Sequence, residues 1–146
     1  MEPQINTEIK KDKFKLDFKD SKYATGRRKK SIAKVWVKKG SGIIHVNGKK
    51  MSEYFHKVNL QTAIFRPLTL TKRENEYDVR CSVKGGGLTG QAGAIIHGLS
   101  RAIVLYEPDL KSTLKKENLT TRDSRAVERK KYGRRKARRS YQFSKR

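Results

Sequence analysis

A chain of 146 residues with 37 Lys+Arg against 14 Asp+Glu carries a formal net charge of +23 and a pI of about 10.4. That length holds one domain with tails rather than two full cores. The single cysteine excludes an internal disulfide and a cysteine-based zinc site, no apolar run is long enough for a bilayer span, and so large a charge excess calls for a polyanionic partner.

Charge and apolar content follow opposite maps. Residues 1–20 balance five Lys against five acids, whereas residues 21–39 hold eight cations and no acid. Residues 122–146 hold twelve cations and two acids. Residues 21–120 contain 38 hydrophobic residues and ten of the 11 glycines, while each end contains only six hydrophobic residues. Ends so poor in apolar surface cannot offset their own backbone entropy. The expected organisation is an N-terminal arm over 1–21, a globular body over 22–119 and a basic tail over 120–146, extended when free and ordered on its partner. Met1 to Asp20 lacks the basic-then-apolar layout of a secretory signal, and has no Arg and five acids, unlike a mitochondrial import sequence.

Within the body, Ser31 to Lys38 reads as the first strand, entered from the basic stretch Thr25 to Ser31. A turn at Lys39 to Gly42 returns the chain through a second strand, Ile43 to Val46, and Asn47-Gly48 closes the hairpin region. A short helix is expected over Met51 to Phe55 with Ser52 as its N-cap. A further helix from Val58 should stop at Arg66, because Pro67 disfavours helix in the residue before it. Tyr77 to Lys84 alternates cleanly, with Tyr77, Val79, Cys81 and Val83 on one side and Asp78, Arg80, Ser82 and Lys84 on a wet one. After Gly85 to Gly87, the main helix runs from Gly90 to Tyr106 with a core stripe of Ala92, Ile96, Leu99, Ile103 and Tyr106. His97 and Arg101 share its opposite face. Pro108 ends it, and Leu110 to Lys116 adds a short helix. Strands followed by helices in this order predict an α+β class, a small sheet packed on helices.

Gly85, Gly87 and Gly90 match G-x-G-x-x-G between a strand and a helix, the place of a dinucleotide fingerprint. A Rossmann strand is apolar on both faces and alternating βαβ units follow it; here one face is polar and a charged tail follows. Gln91-Ala92 also stands where a P-loop needs Lys-Ser/Thr. The better reading is close backbone approach, with N–H groups at the helix start open to a phosphate. His45, His56 and His97 lack metal-ligand spacing, and Cys81 falls on the apolar side of its strand as an inert thiol. Nothing points to catalysis. The basic run Arg27 to Lys30 and the tail, where Tyr132, Tyr141 and Phe143 are interleaved with cations, read as nucleic-acid contacts. A free histone-like binder and a nucleotide-dependent oxidoreductase are the rival classes.

Three blocks carry a resemblance to a known family: Tyr23-Ala-Thr-Gly-Arg-Arg-Lys-Lys-Ser31, Lys84-Gly-Gly-Gly-Leu-Thr-Gly-Gln-Ala-Gly-Ala94, and the tail ending Gln142-Phe-Ser-Lys-Arg146. Over residues 23–146 the chain resembles the small-subunit ribosomal protein S9 family, of bacterial or mitochondrial type. The resemblance implies a left-handed βαβ crossover and a place in the head of the small subunit among ribosomal RNA (rRNA) and neighbouring head proteins, in the bacterial cytoplasm or mitochondrion. It implies no cofactor, no membrane and no homo-oligomer. Contacts to rRNA would come from Arg27, Arg28, Lys29, Lys30, Gly86, Gly87, Gln91, Arg122, Arg125, Arg129, Lys130, Lys131, Arg134, Arg135, Lys136, Arg138 and Arg139. Ser144, Lys145 and Arg146 would approach the anticodon stem-loop of the P-site tRNA. Two departures stand out: residues 1–22 are longer than the usual start and neutral, and Ile96 stands where many relatives carry Arg.

Overall fold

The computed structural model describes residues 19–145; most of the expected N-terminal arm and Arg146 lie outside them. The first strand comes earlier than the sequence suggested. β1 (Lys22–Arg28) precedes β2 (Ser31–Lys39), and the two form a hairpin closed by Lys29-Lys30, in which Lys29 takes a left-handed φ of 51°. The basic stretch expected to be a strand entrance is thus itself half strand and half turn.

β2 does not pair with β3 (Ile44–Val46). It pairs antiparallel with β5 (Tyr77–Lys84), which lies parallel to β3 on its other side. The Asn47-Gly48 turn, both residues at positive φ, instead joins β3 to β4 (Lys49–Lys50). The sheet order is β1-β2-β5-β3-β4. The parallel β3–β5 pair is linked by a crossover through α1 (Met51–Tyr54) and α2 (Val58–Thr71), a βαβ unit in an otherwise antiparallel sheet. The Asn47 side chain extends this ladder, accepting from the Val83 N–H at 2.8 Å and donating to the Val83 carbonyl at 3.1 Å.

Two helix ends differ from expectation. Lys50, not Ser52, is the N-cap of α1, and no side chain caps it; Ser52 is an exposed residue within the helix. α2 runs through Pro67 to Thr71. Ile64, Pro67, Leu68 and Thr71 lie at helical spacing on its buried face. Burial of that stripe outweighs the backbone bond that Pro67 cannot donate. The helix ends at Lys72, whose φ is 55°, with the Arg73 N–H returning to the Leu68 carbonyl at 3.0 Å.

α3 (Leu88–Tyr106) is the spine of the body and lies across β1 and β2. Ala92, Ile95, Leu99, Ala102 and Ile103 meet Ala33, Val35, Val37, Val79 and Cys81 in one core, with α2 packed along the helix. Ile96, expected in the core stripe, is only partly buried. Burial pushes the Cys81 thiol up to about 12, so it is inert at neutral pH. A single 3-10 turn (Pro108–Leu110) and α4 (Lys111–Lys116) close the body. Tyr77, Glu107 and Arg73 pin this end: the Tyr77 hydroxyl donates to Glu107 at 2.7 Å and Arg73 pairs with Glu107 at 3.2 Å.

The approach of α3 to β1 is backbone against backbone. A Cβ on Gly26 would collide with the Ala94 carbonyl and the Gly98 amide, and one on Gly98 would lie 2.7 Å from Val35 Cγ2. At Gly87 a Cβ would meet nothing within 4 Å. Gly26→Ala is therefore expected to cost at least about 2 kcal/mol, as overpacking does, and Gly87→Ala less than about 1 kcal/mol. Urea unfolding followed by circular dichroism measures both.

Candidate nucleic-acid interface

The hairpin turn, the glycine loop and the root of the tail meet at one end of the body. The Lys29-Lys30 turn leads into Ser31, whose hydroxyl donates to the Gly85 carbonyl at 3.0 Å. Gly85 takes a φ of 74° and Gly86 one of 61°. A Cβ on Gly85 would press on the Lys30 carbonyl, and one on Gly86 on the Ser31 hydroxyl. The glycines thus seat the loop against the basic turn. The third residue of the motif, Gly87, is the N-cap of α3, and Gly90 lies beside Ser31. Helix α3 leads into α4 and the tail, with no strand after it among the described residues, so the glycine pattern is not part of a Rossmann unit.

Gln91, expected to face RNA, uses its amide inside the protein. Its Oε1 accepts from the Tyr54 hydroxyl at 2.8 Å, and its Nε2 donates to the Gly85 carbonyl at 3.2 Å. It braces the loop that leaves Gly86 and Gly87 exposed.

His97 and Arg101 do not face open solvent from a passive helix surface. β1 is an edge strand, and its outward backbone groups need partners. The Arg27 N–H donates to His97 Nδ1 at 3.2 Å, and Arg101 donates to the Thr25 carbonyl at 2.7 Å. Residues four apart on one helix face clasp one strand edge. The His97 ring also hydrogen-bonds to the backbone of Thr120, where the tail begins.

Arg28 lies along Gly93 and reaches Asp123 at 3.2 Å. Asp123 also takes Arg125 at 2.8 Å. Hydrogen bonds from Arg125 hold the Asp123 carboxyl well below the usual carboxylate range. Around this junction opens a cleft of about 380 Å³, lined by Arg27, Arg28, Arg66, His97, Asp123 and Arg125 among others. Composition gives no signal for Arg66, Arg101 or His97 beyond the i, i+4 spacing that puts His97 and Arg101 on one helix face.

Beyond Asp123, the cations Arg125, Arg129, Lys130, Lys131, Arg134, Arg135, Lys136, Arg138 and Arg139 are all exposed, as are Arg122, Ser144 and Lys145. Tyr132, Tyr141 and Phe143 are exposed between them. No helix or strand follows Lys116 among the described residues. Glu128 draws Lys131 and Arg138 to 3.2 and 2.9 Å, exposed pairs of little energetic weight.

An α+β body that gathers cations at one end and continues into an exposed basic arm has the charge distribution of a polyanion-binding protein, and among the described residues no group of three or more His, Cys, Asp or Glu could hold a metal ion. The model of the family described as ribosomal protein S9/S16 matches residues 26–146, and the chain belongs to that family. It is a ribosomal protein of the small subunit that binds rRNA. No helix among the described residues is long and apolar enough to cross a membrane.

The His97 clasp has a pH signature. Burial first, and then the charges of Arg101 and Arg122, lower its pKa from the ordinary 6.5. The folded state favours neutral imidazole, so this contribution is complete above about pH 6.5 and is lost as pH falls through the lowered folded value. The lowered carboxylates Asp78, Glu107 and Asp123 titrate in a more acidic window. Thermal melts from about pH 7.5 to about pH 5.5 should show falling Tm. His97→Gln, which keeps an acceptor for Arg27 and a donor for Thr120, should flatten that slope.

Proposed function

We propose that the body, residues 22–119, docks on folded rRNA in the head of the small subunit beside neighbouring head proteins, and that the tail, residues 120–146, orders on RNA and carries Ser144, Lys145 and Arg146 to the P-site tRNA. The observation that supports this reading is the meeting of Arg27 to Lys30, the Gly85 to Gly87 loop and the tail root at one end of the body, with an exposed cationic arm leading away from it. Arg27, Arg28, Lys29 and Lys30 contact phosphates there, and Gly86 and Gly87 let backbone approach the RNA. The tail cations from Arg122 to Arg139 then neutralise phosphates along its path, and Tyr132, Tyr141 and Phe143 pack between them. The role is architectural, and the terminal cations steady the tRNA by charge and position rather than by reading bases.

Small subunits reconstituted with a chain lacking Ser144 to Arg146 are expected to sediment normally and bind P-site tRNA more weakly. Unchanged tRNA affinity at both low and moderate salt would sink the tRNA contact. On an rRNA fragment from the head, joint replacement of Arg134, Arg135, Arg138 and Arg139 by Gln should reduce the slope of log affinity against log salt by about 3, at about 0.7–0.9 per lost phosphate contact. Equal affinity for an unrelated DNA duplex would instead favour a free nucleic-acid binder.

A further inference from the structure

Gly85 and Gly86 follow one another at positive φ, and without side chains the peptide between them has little orientation of its own. Two donors hold its carbonyl: the Ser31 hydroxyl at 3.0 Å, from the start of β2, and Gln91 Nε2 at 3.2 Å, from α3. Both lone pairs of the Gly85 oxygen are thereby used. In a trans peptide the N–H opposes the carbonyl, so the Gly86 N–H is turned away from Ser31 and Gln91. Gly86 is exposed, and this N–H is a donor that the loop offers outward.

A glutamine amide can point either way, and here a chain of hydrogen bonds selects one orientation. It starts on β5. The Val83 N–H donates to Asn47 Oδ1 at 2.8 Å, which leaves Asn47 Nδ2 to donate to the Val83 carbonyl at 3.1 Å and to the Tyr54 hydroxyl at 3.4 Å. With Asn47 donating to its oxygen, the Tyr54 hydroxyl sends its own proton to Gln91 Oε1 at 2.8 Å. Gln91 Nε2 is then the atom that faces Gly85. The reverse orientation would set Oε1 against the Gly85 oxygen, two acceptors with no proton between them. Tyr54 is itself held in place. Its ring meets the fully buried Phe55 ring edge-on, with centroids 5.0 Å apart, and Gln61 Nε2 donates to the Phe55 carbonyl at 2.6 Å.

We infer that Tyr54 is a positioning residue for RNA binding: acting through Gln91, it fixes the Gly85–Gly86 peptide so that the Gly86 N–H meets a phosphate oxygen. This rests on the reading above that the glycine loop approaches RNA. It makes the crossover helix α1, which carries no proposed RNA contact of its own, a determinant of affinity. A neutral N–H donor displaces no counterion, so its contribution adds to affinity without adding to the salt dependence.

Tyr54→Phe removes the hydroxyl and keeps the ring. In the full chain it should weaken binding to an rRNA fragment from the head about 3- to 10-fold, the range for one hydrogen bond, and leave the slope of log affinity against log salt unchanged. Gln91→Met should lose at least as much, and in that background Tyr54→Phe should have no further effect, because Tyr54 acts only through Gln91. Amide resonances of the free Tyr54→Phe chain should shift at Gly85 to Gly87 and stay in place at Val35 and Val37, the mark of a reoriented loop rather than a loosened fold. Unchanged affinity of Tyr54→Phe, a further loss in the double variant, or shifts that spread into the core of β2 would each overturn the positioning role. The Gly86 amide resonance of the unaltered chain tests the underlying reading separately, since it should move as the fragment binds. If it moves while Tyr54→Phe binds as well as the unaltered chain, the loop contact stands and only the positioning role falls. A complex that forms with this resonance unmoved would remove both.

Discussion

The rest of the molecule depends on how closely α3 can lie on β1. Gly26 and Gly98 remove the side chains that would separate the two backbones, and that proximity fixes the reach of everything mounted on the helix. At this distance His97 and Arg101 satisfy the outward backbone groups of the edge strand. Gly93 leaves a channel for the Arg28 side chain to run toward Asp123. The start of α3 then falls beside the Lys29-Lys30 turn, so the Gly85 to Gly87 loop is held by Ser31 and by Gln91 rather than left to move. Push helix and strand apart by one methyl group, and the edge clasp, the loop seat and the tail anchor are all disturbed together.

That arrangement concentrates like charge. Arg27, Arg28, Lys29 and Lys30 follow one another at the turn, and the tail root brings Arg122 and Arg125 nearby. Asp123 offsets part of this by pairing with both Arg28 and Arg125, but one carboxylate cannot balance so many neighbouring cations. The net charge of +23 therefore works against compactness in the free protein. Phosphates remove that repulsion and release counterions as they do so. The same term that strains the isolated chain thus drives its association, and the tail, with few apolar residues of its own, has the most to gain from it.

Much of this was legible from residue pattern, and the failures have definite causes. Tyr77 to Lys84 alternates as strongly as a half-buried strand can, and the core residues of the long helix repeat at helical spacing, so both were readable without tertiary context. β1 was not, because Thr25-Gly-Arg-Arg has neither apolar alternation nor β-branched density; it is a strand because the hairpin and α3 make it one. The stop at Pro67 failed because a local backbone preference was outweighed by a buried stripe. The pairing of β3 with β5 rather than β2 is a choice between partners that chain order does not reveal. At the candidate interface the cationic runs were visible as composition. What composition did not show was that Gln91 is a brace, that His97 is a clasp, and that the glycines serve proximity to Ser31 and Lys30 before they serve any ligand.

The register of the sheet also joins two regions that the sequence keeps apart. Arg27, Ile32 and Lys84 are aligned across β1, β2 and β5 in the row next to the Lys29-Lys30 turn. Lys84 is followed directly by the glycine loop, and Arg27 is one residue from the turn, so this row joins the basic end to the strands behind it. Beyond it along the strands come Lys34, then Trp36 with Tyr23 and Arg80. Cations therefore follow one another from the tail root, through Arg28 and the Lys29-Lys30 turn, to Arg27 and Lys84 at the end of the sheet. A polyanion that meets several such cations need not make any one contact strongly. With cations spread around a rigid body, orientation follows from the number and placement of phosphate contacts, which is what an architectural protein requires and what a single deep pocket would not provide.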